Sequence, residues 1–288
     1  MARAVDYVKM SIPYLILAVI TSPIILMYVM LFIASFSKTV YGLIPDKVTL
    51  NNWNFLLTGY IQAPGTLGVE AGRYPNIYIV TFNTFLLALT VATLEVLISS
   101  LAAYAISRYS FRGRNTFLSL TLVLHSFPSI TLLIAVFYIL NTLGLFDTLI
   151  GVILVKVALE LPLGIWIMKG FYDGIPWDME MSALVDGCTR LEAWWRVILP
   201  NVKGGIASTM IFAFLSGWAE YIYILTFIVS HQNWTLSMLV AAMIGEWRFV
   251  DYGQLAAVSF YYMLPVVIFF LFFQKYLLRL TIASKGPI

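Results

Sequence analysis

Long apolar stretches occupy most of the chain and are separated by short polar segments. A helix needs roughly 20 apolar residues to cross a bilayer, and windows of that kind recur along the whole sequence. The predicted spans cover residues 12–35, 77–107, 116–140, 148–171, 204–229 and 254–279. The pattern therefore predicts an all-α polytopic membrane protein with six transmembrane helices, in which residues 1–288 form a single transmembrane domain.

The composition agrees with that pattern. The chain is 61% hydrophobic and 11% charged, whereas soluble domains carry about 25% charged residues. An ordinary soluble domain is therefore excluded. The single cysteine also excludes an internal disulfide and a cysteine-built metal site.

The distribution of Lys and Arg predicts the orientation in the membrane. Most of these residues fall on the side of the N-terminus, and the opposite side carries only Lys38, Lys47, Arg73 and Arg248. Because cytoplasmic loops are enriched in Lys and Arg, both termini are predicted to be cytoplasmic, together with the polar segment 175–200. The longer loop 38–76 then faces outward, where we expect it to contact an external partner.

The 175–200 segment begins with the signals of a short helix. Pro176 suits a first helical position, and the carboxylates of Asp178 and Glu180 favour the positive end of a helix. Asp186-Gly187 is predicted to break this helix, either because the glycine adopts a positive φ or because it allows a close approach.

A second short helix is predicted directly after that break. Thr189 followed by Glu192 has the spacing of a capping box, and Pro200 is predicted to end the helix. Two short helices at an angle, held between membrane spans and facing the cytoplasm, would fit a cleft on another protein.

The same segment resembles the cytoplasmic EAA loop of ABC importer permeases. The residues that match in order and spacing are Ile175, Pro176, Glu180, Ala183, Asp186, Gly187, Leu199 and Pro200. The resemblance implies that Glu180, Ala183, Asp186, Gly187, Leu199 and Pro200 couple the chain to an ATPase. Met181 and Ser182 depart from the pattern, since they occupy the places of the second Glu and the first Ala. Glu180 is the expected substitute for that missing carboxylate.

Further matches extend the resemblance from about residue 49 to residue 286. The run 103–113 is similar to the A-Y-A-x-x-R-x-x-F-x-G motif of carbohydrate-importer permeases, and the other matches are Asn83-Thr84, Leu161-Pro162, Trp218 and the run 273–276. The branch that includes the second permease of maltose-type importers is the most similar. The resemblance implies the MetI-like importer-permease fold in a prokaryotic inner membrane. The partners it implies are a second homologous permease subunit, two ATPase subunits and an external solute-binding protein.

The chain itself is not expected to be an enzyme. It contains no phosphate-binding loop of the form GxxxxGK and no Ser/His/Asp or metal-spaced constellation. No cofactor is expected on this chain, ATP and Mg²⁺ are expected on the partner ATPase, and no nucleic-acid partner is expected. A sugar or oligosaccharide is the expected solute, with a polyol or a glycerol-phosphate-type solute as the alternative. A stand-alone secondary transporter would favour internal repeats, and none is found.

Ionisable residues inside the predicted spans mark a candidate translocation path. They are Glu95, Lys156, Glu160 and Glu220. Charged groups at this depth usually face protein or water. Lys156 and Glu160 are four residues apart and can pair on one helix face, while Glu95 is an alternative partner for Lys156. Either a neutralised pair within the bundle or a path lining fits the sequence.

Aromatic residues near Glu220 suit a sugar as the solute. Trp218 and Tyr221 flank this carboxylate in the fifth predicted span. Aromatic rings can stack on the apolar face of a sugar, and a carboxylate can accept hydrogen bonds from its hydroxyl groups. The alternative is that the aromatic residues are ordinary interfacial anchors.

Overall fold

The structure is a computed structural model that describes residues 2–38, 40–41, 44–45, 47–61, 74–245 and 250–283. Helices form most of this part of the chain. Those before the 175–200 segment are α1 Ala2–Ser35, α2 Phe55–Thr58, α3 Ile77–Arg108, α4 Arg114–Ser126, α5 Leu133–Thr142 and α6 Leu149–Asp173. Those within it or after it are α7 Trp177–Val185, α8 Arg190–Ala193, α9 Leu199–Asn201, α10 Lys203–Trp218, α11 Ile222–Phe227, α12 Leu236–Gly245 and α13 Tyr252–Ala283. The short strands β1 Val40–Tyr41 and β2 Ile44–Pro45 pair antiparallel.

The number of membrane spans depends on how two bent helix pairs are counted. By length and composition, the four helices able to cross a membrane are Pro13–Ser35, Ile77–Arg108, Leu149–Asp173 and Tyr252–Phe273. Two bent pairs raise the number to six if each pair forms one span, Arg114–Ser126 with Ser129–Thr142 and Arg190–Asn201 with Lys203–Trp218. The all-α prediction is confirmed, but two of the six predicted spans are not single straight helices.

The predicted span 116–140 is broken at Pro128. Helix α4 ends at Ser126, and the chain then bends by 91° before it continues through a 3₁₀ turn over Ser129–Leu132 into α5. Phe127 is extended, with φ −71° and ψ 132°. A residue that precedes proline is pushed out of the helical region, which explains the position of the break. Pro162, by contrast, lies inside the continuous helix α6.

The predicted span 204–229 is also divided. Helix α10 ends at Trp218, and α11 begins only at Ile222. The Glu220 carboxylate accepts a hydrogen bond from the Tyr223 backbone N–H at 2.9 Å, as a cap does at a helix start. The helix preceding α10, predicted to end at Pro200, ends one residue later at Asn201, and the 78° bend follows before Lys203.

The chain divides into two compact units, and the first contains 1–77 and 240–264. Its packing is aromatic: the Trp53 ring stacks on Phe36 and Phe55 at 5.6 and 6.0 Å between centroids. The Asn52 side chain donates to the Ser35 and Ser37 carbonyls. The loop 38–76, which was expected to contact an external partner, belongs to this unit, and its residues 62–73 lie outside the described part of the chain.

The second unit contains 78–239 and 265–288, and it carries every candidate site residue. Within it, α3 and α10 approach each other closely at Gly217. A Cβ added to this glycine would lie 2.9 Å from the Ala88 Cα, a backbone atom that cannot move away as a side chain can. Glycine at this position therefore sets the distance between the two helices.

We expect Gly217→Ala to destabilise the protein by about 1–3 kcal/mol, the usual range for overpacking. The matched control is Gly170→Ala in α6, where no described atom lies within 4 Å of an added Cβ. Alanine is favoured over glycine inside a helix by roughly 0.5–1 kcal/mol, so this control should be neutral or stabilising. The measurement is the free energy of unfolding in detergent, and equal losses in the two variants would contradict the close approach.

Candidate functional site

Gly187 ends the first helix of the 175–200 segment. Its φ is +91°, a left-handed conformation that favours glycine. The Cys188 N–H donates to the Ala183 carbonyl at 3.0 Å, and the Gly187 N–H donates to the Leu184 carbonyl at 3.1 Å. This pair of bonds forms a Schellman motif. No described atom lies within 4 Å of an added Cβ, so the positive φ, and not a close approach, explains the glycine.

The second helix of the segment starts with the predicted capping box. The Thr189 N–H donates to Glu192 Oε2 at 2.8 Å, and the Glu192 N–H donates to Thr189 Oγ1 at 3.3 Å. The helix continues from α8 through a π-helical stretch at Trp194–Ile198 into α9. π-Helical turns often mark functional positions, because they change the direction of side chains along a helix.

Glu180 points into the protein, contrary to its expected role. The side chain is fully buried, with its Oε2 3.0 Å from the Arg108 Nε. The Tyr104 hydroxyl donates to its Oε1 at 2.7 Å. A carboxylate whose position is fixed by an internal ion pair does not suit the direct contact with an ATPase expected from the sequence. Ala183 is buried as well, at 6% exposure.

The outer face of α7, unlike the side that carries Glu180, is exposed. Its residues border an open depression of about 370 Å³, lined by Asp178, Met181, Ser182, Val185 and Asp186. Val185 is 87% exposed. Farther along the segment, Leu191 and Trp195 are 69% and 62% exposed. The segment therefore presents apolar side chains to the outside, with acidic groups near Val185 and the exposed Arg190 and Arg196 next to Leu191 and Trp195 in the chain.

An aromatic cluster supports the segment from inside. Trp194 Nε1 donates to the Tyr172 hydroxyl at 3.0 Å, and that hydroxyl lies 2.7 Å from the Ser100 hydroxyl. The Tyr104 ring packs edge-on against Tyr172, with 5.8 Å between centroids. The 175–200 segment is thus attached to α3 and α6 by packing and by hydrogen bonds. Leu199 is half-buried and Pro200 is exposed near its end.

Three of the predicted intramembrane charges meet in one cluster, Lys156, Glu160 and Glu220. Lys156 Nζ lies 2.8 Å from Glu220 Oε2 and 3.2 Å from Glu160 Oε1. The predicted i,i+4 pair is therefore present, and Glu220 joins it from the break between α10 and α11. Glu160 also accepts a hydrogen bond from the Ser216 hydroxyl, and it is the most exposed member of this charge cluster, at 19%.

Glu95 lies apart from these ion pairs. It is 2% exposed, and its Oε2 has no hydrogen-bond partner among the described residues. Its Oε1 lies over Gly164, where an added Cβ would be only 2.7 Å away. In the described part of the chain, Lys156 forms its ion pairs with Glu160 and Glu220 and not with Glu95, so the alternative pairing is wrong.

The aromatic residues of the predicted path have different positions. Trp218 is 1% exposed and packs against Phe85 and Phe214, with centroids 5.0 and 5.7 Å away. A ring enclosed in this way cannot stack on a solute, so its place in a path is corrected to a place in the core. Tyr221 is half-buried, next to Glu220 at the helix break.

A second attachment point, which the sequence did not indicate, lies at the opposite end of α6. The Asp147 carboxylate accepts hydrogen bonds from the Ser230 hydroxyl, and from the Val229 and Ser230 N–H groups at 2.8 and 2.9 Å. These bonds, led by that from the Ser230 hydroxyl, hold the pKa of Asp147 below its usual value. Asp147 also has a φ of +60°, which marks it as an unusual position in the structure. The sequence gives no sign of this backbone conformation.

Asn83 and Thr84 of α3 bond to the chain just before α12 and to its first residue. The Asn83 amide donates to the Gln232 and Trp234 carbonyls at 2.7 and 2.9 Å, and the Leu236 N–H donates to the Thr84 hydroxyl at 2.9 Å. The described residues contain no group of three or more His, Cys, Asp or Glu side chains placed to hold a metal ion. The hydrogen bonds of Asn83 and Thr84 hold α3 against residues 232–236.

Residues 95–282 match the model of the binding-protein-dependent transport system inner membrane component. The chain belongs to this family. It is a membrane protein of a transport system, and the relatives it matches are transporter permease subunits. The match includes the 175–200 segment and the charge cluster.

Three relatives of this family are similar over most of their length. The trehalose transport system permease protein SugB of Mycobacterium tuberculosis is 29% identical, over 81% of this chain and 80% of its own. The sulfoquinovosyl glycerol transport system permease protein SmoH of Agrobacterium fabrum is 33% identical, over 76% and 77%. The trehalose/maltose transport system permease protein MalG of Thermococcus litoralis is 33% identical, over 68% and 70%.

A solved structure gives the fold of this family member. A chain in the crystal structure of a bacterial ABC transporter involved in the import of the acidic polysaccharide alginate superposes with a TM-score of 0.76. It is 17% identical, and the match covers 94% of this chain and 97% of that one. The importer-permease fold predicted from the sequence is confirmed.

Proposed function

We propose that this chain forms half of the translocation path of an ATP-driven importer, and that it couples to an ATPase through the 175–200 segment. The observation that carries the proposal is the two-sided character of that segment. Its inner face is fixed to α3 by Glu180. Its exposed residues include Val185, Leu191 and Trp195 together with charged groups of both signs, as a docking surface for another protein would.

The remaining parts follow from the family and from the charge distribution. A second homologous permease completes the path, two ATPase subunits bind ATP and Mg²⁺, and an external binding protein delivers the solute. Both termini and the 175–200 segment face the cytoplasm of a prokaryote, since that side carries most of the Lys and Arg residues. The hydrolysis of ATP takes place on the ATPase and not on this chain.

We propose a sugar or an oligosaccharide as the solute. Relatives named for trehalose and for trehalose/maltose transport support this choice. Glu160, the most exposed member of the charge cluster, can accept a hydrogen bond from a sugar hydroxyl. The relative named for sulfoquinovosyl glycerol supports a glycerol-linked solute as the second candidate. Calorimetry of the partner binding protein with both classes of solute separates the two.

The coupling role is tested at Gly187. A β-branched residue is strongly disfavoured at positive φ, so Gly187→Val should displace the turn between α7 and α8. A residue held in a sparsely populated region of backbone φ and ψ carries a strain of ~1–3 kcal/mol. We expect this strain to oppose the coupling step, so that uptake falls by about tenfold or more. The measurement is solute uptake by proteoliposomes that contain the whole complex, together with co-purification of the ATPase.

Gly187→Asn is the matched control, because asparagine tolerates the left-handed conformation better than other side chains. It should retain most of the uptake. Normal uptake by Gly187→Val with the ATPase normally bound would refute the role given to the segment.

A further inference from the structure

The last turns of α3 contact the 175–200 segment at two separate points. Arg108 Nη2 donates to the Ile175 carbonyl at 3.0 Å, immediately before α7. Its Nε forms the ion pair with Glu180 inside α7, and its guanidinium lies over the Trp177 ring at 5.1 Å. Two contacts separated along the segment fix the direction of α7 as well as its position.

Tyr104 completes this contact from the preceding turn of α3. Its hydroxyl donates to Glu180 Oε1, while its ring packs against Tyr172 and Trp194. Arg108 is 5% exposed, and Glu180 is fully buried. Both charged groups are thus desolvated. Moving one without the other would leave Arg108 without its carboxylate, and Glu180 with only the more distant Arg190, whose Nη1 lies 3.8 Å from Glu180 Oε1. The contact therefore favours movement of α3 and α7 together.

The covalent connections of the segment to the transmembrane helices are interrupted at both ends. Residues 174–176 between α6 and α7 are not helical, and a 78° bend separates α9 from α10. Residues at the ends of elements are the usual positions of hinges. The buried contact with α3 is thus a direct connection between α7 and a transmembrane helix, beside the hydrogen bond from Trp194 to Tyr172 of α6.

We propose that Tyr104 and Arg108 are positioning residues that make α3 follow α7, so that movement imposed by the ATPase reaches the membrane helices through the buried Glu180 carboxylate. This inference rests on the proposed function. It gives a role to two residues of the motif at 103–113, which the resemblance alone left without one. It also gives Glu180 a role inside the protein instead of on its surface.

The first test is Tyr104→Phe in the complete importer, reconstituted with its ATPase and partner permease. The variant removes the hydroxyl and keeps the ring, so the complex should assemble normally. A hydrogen bond to a charged group corresponds to about a tenfold change in an equilibrium constant. We expect the amount of solute transported per ATP hydrolysed to fall by about fivefold, which is the smallest effect typical of energetic coupling between two sites.

Tyr109→Phe is the matched control. Tyr109 follows α3 and is 42% exposed, and its ring contact with Arg190 is retained when the hydroxyl is removed. The ratio of transport to hydrolysis should stay at the wild-type value in this variant. An equal fall in both variants would overturn the proposal, and so would a proportional loss of complex, hydrolysis and uptake in Tyr104→Phe with the ratio unchanged.

Arg108→Lys provides a second test that keeps the buried charge. Lysine can pair with Glu180, but it cannot at the same time bond to the Ile175 carbonyl and stack on Trp177 with a planar group. We expect a normal amount of complex and a lowered transport-to-hydrolysis ratio. A wild-type ratio would overturn the two-point contact. The proposed function is tested separately from this contact. It fails if no ATPase co-purifies with the unaltered chain, whereas the two-point contact fails on the transport-to-hydrolysis ratio of the variant.

Discussion

Replacing Lys156 with methionine is expected to lower the free energy of unfolding by about 3–5 kcal/mol, the usual effect of removing one partner from a buried ion pair. Lys156 lies between two carboxylates, with its Nζ 2.8 Å from Glu220 and 3.2 Å from Glu160. Without it, two poorly solvated negative charges remain next to each other. The measurement is unfolding of the purified protein in detergent.

The triple variant Lys156→Met, Glu160→Gln, Glu220→Gln removes the charges that the single change leaves unpaired. It should recover most of the lost stability, because neutral groups are less costly to bury than unpaired ions. A triple variant no more stable than Lys156→Met would argue against the ion pairs.

Lys169→Met is the matched control on the same helix. Lys169 and Asp173 have the same i,i+4 spacing, but the Asp173 side chain is 41% exposed. An exposed pair of this kind contributes roughly 0–1 kcal/mol. The contrast between the two lysines therefore separates the effect of burial from the effect of sequence spacing.

Glu180→Ala is expected to cost a similar amount, about 3–5 kcal/mol, because it leaves the buried Arg108 guanidinium without its carboxylate. The loss should change little between low and high salt, since buried pairs are screened much less than exposed ones. This outcome differs from that of an exposed contact with the ATPase, which salt would weaken.

Asp178→Ala in the same turn is the comparison for that prediction. Asp178 is exposed and borders the depression on the outer face of α7. As a carboxylate at a helix start it contributes about 0.3–1 kcal/mol. Comparable destabilisation by the two alanine variants, or a strong salt dependence for Glu180→Ala, would show that Glu180 is not held as the structure has it.

Local patterns in the sequence were sufficient for several elements of this protein. The apolar windows placed the helices α1, α3, α6 and α13 to within a few residues, apart from the N-terminal extension of α1, because crossing a bilayer requires a long apolar run that little else in a sequence imitates. The turn at Gly187 and the capping box at Thr189 were also predicted, since each depends on residues that are close together in the chain.

The breaks in two of the spans were harder to predict from the sequence. Glu220 reads as one polar residue within an apolar run, and its ion pair with Lys156, 64 positions earlier, cannot be seen in that run. Pro128 carried a local signal, but the sequence did not distinguish a 91° bend there from the continuous helix that α6 forms through Pro162.

The direction in which each functional side chain points was decided by the tertiary structure. The sequence placed Glu180 and Trp218 correctly on their helices, yet both side chains are enclosed within the protein instead of facing a partner or a solute. The spacing of residues along a helix determines which of them share a face. Which face is covered depends on the neighbouring helices, here on Arg108 and Tyr104 of α3 for Glu180 and on Phe85 of α3 for Trp218.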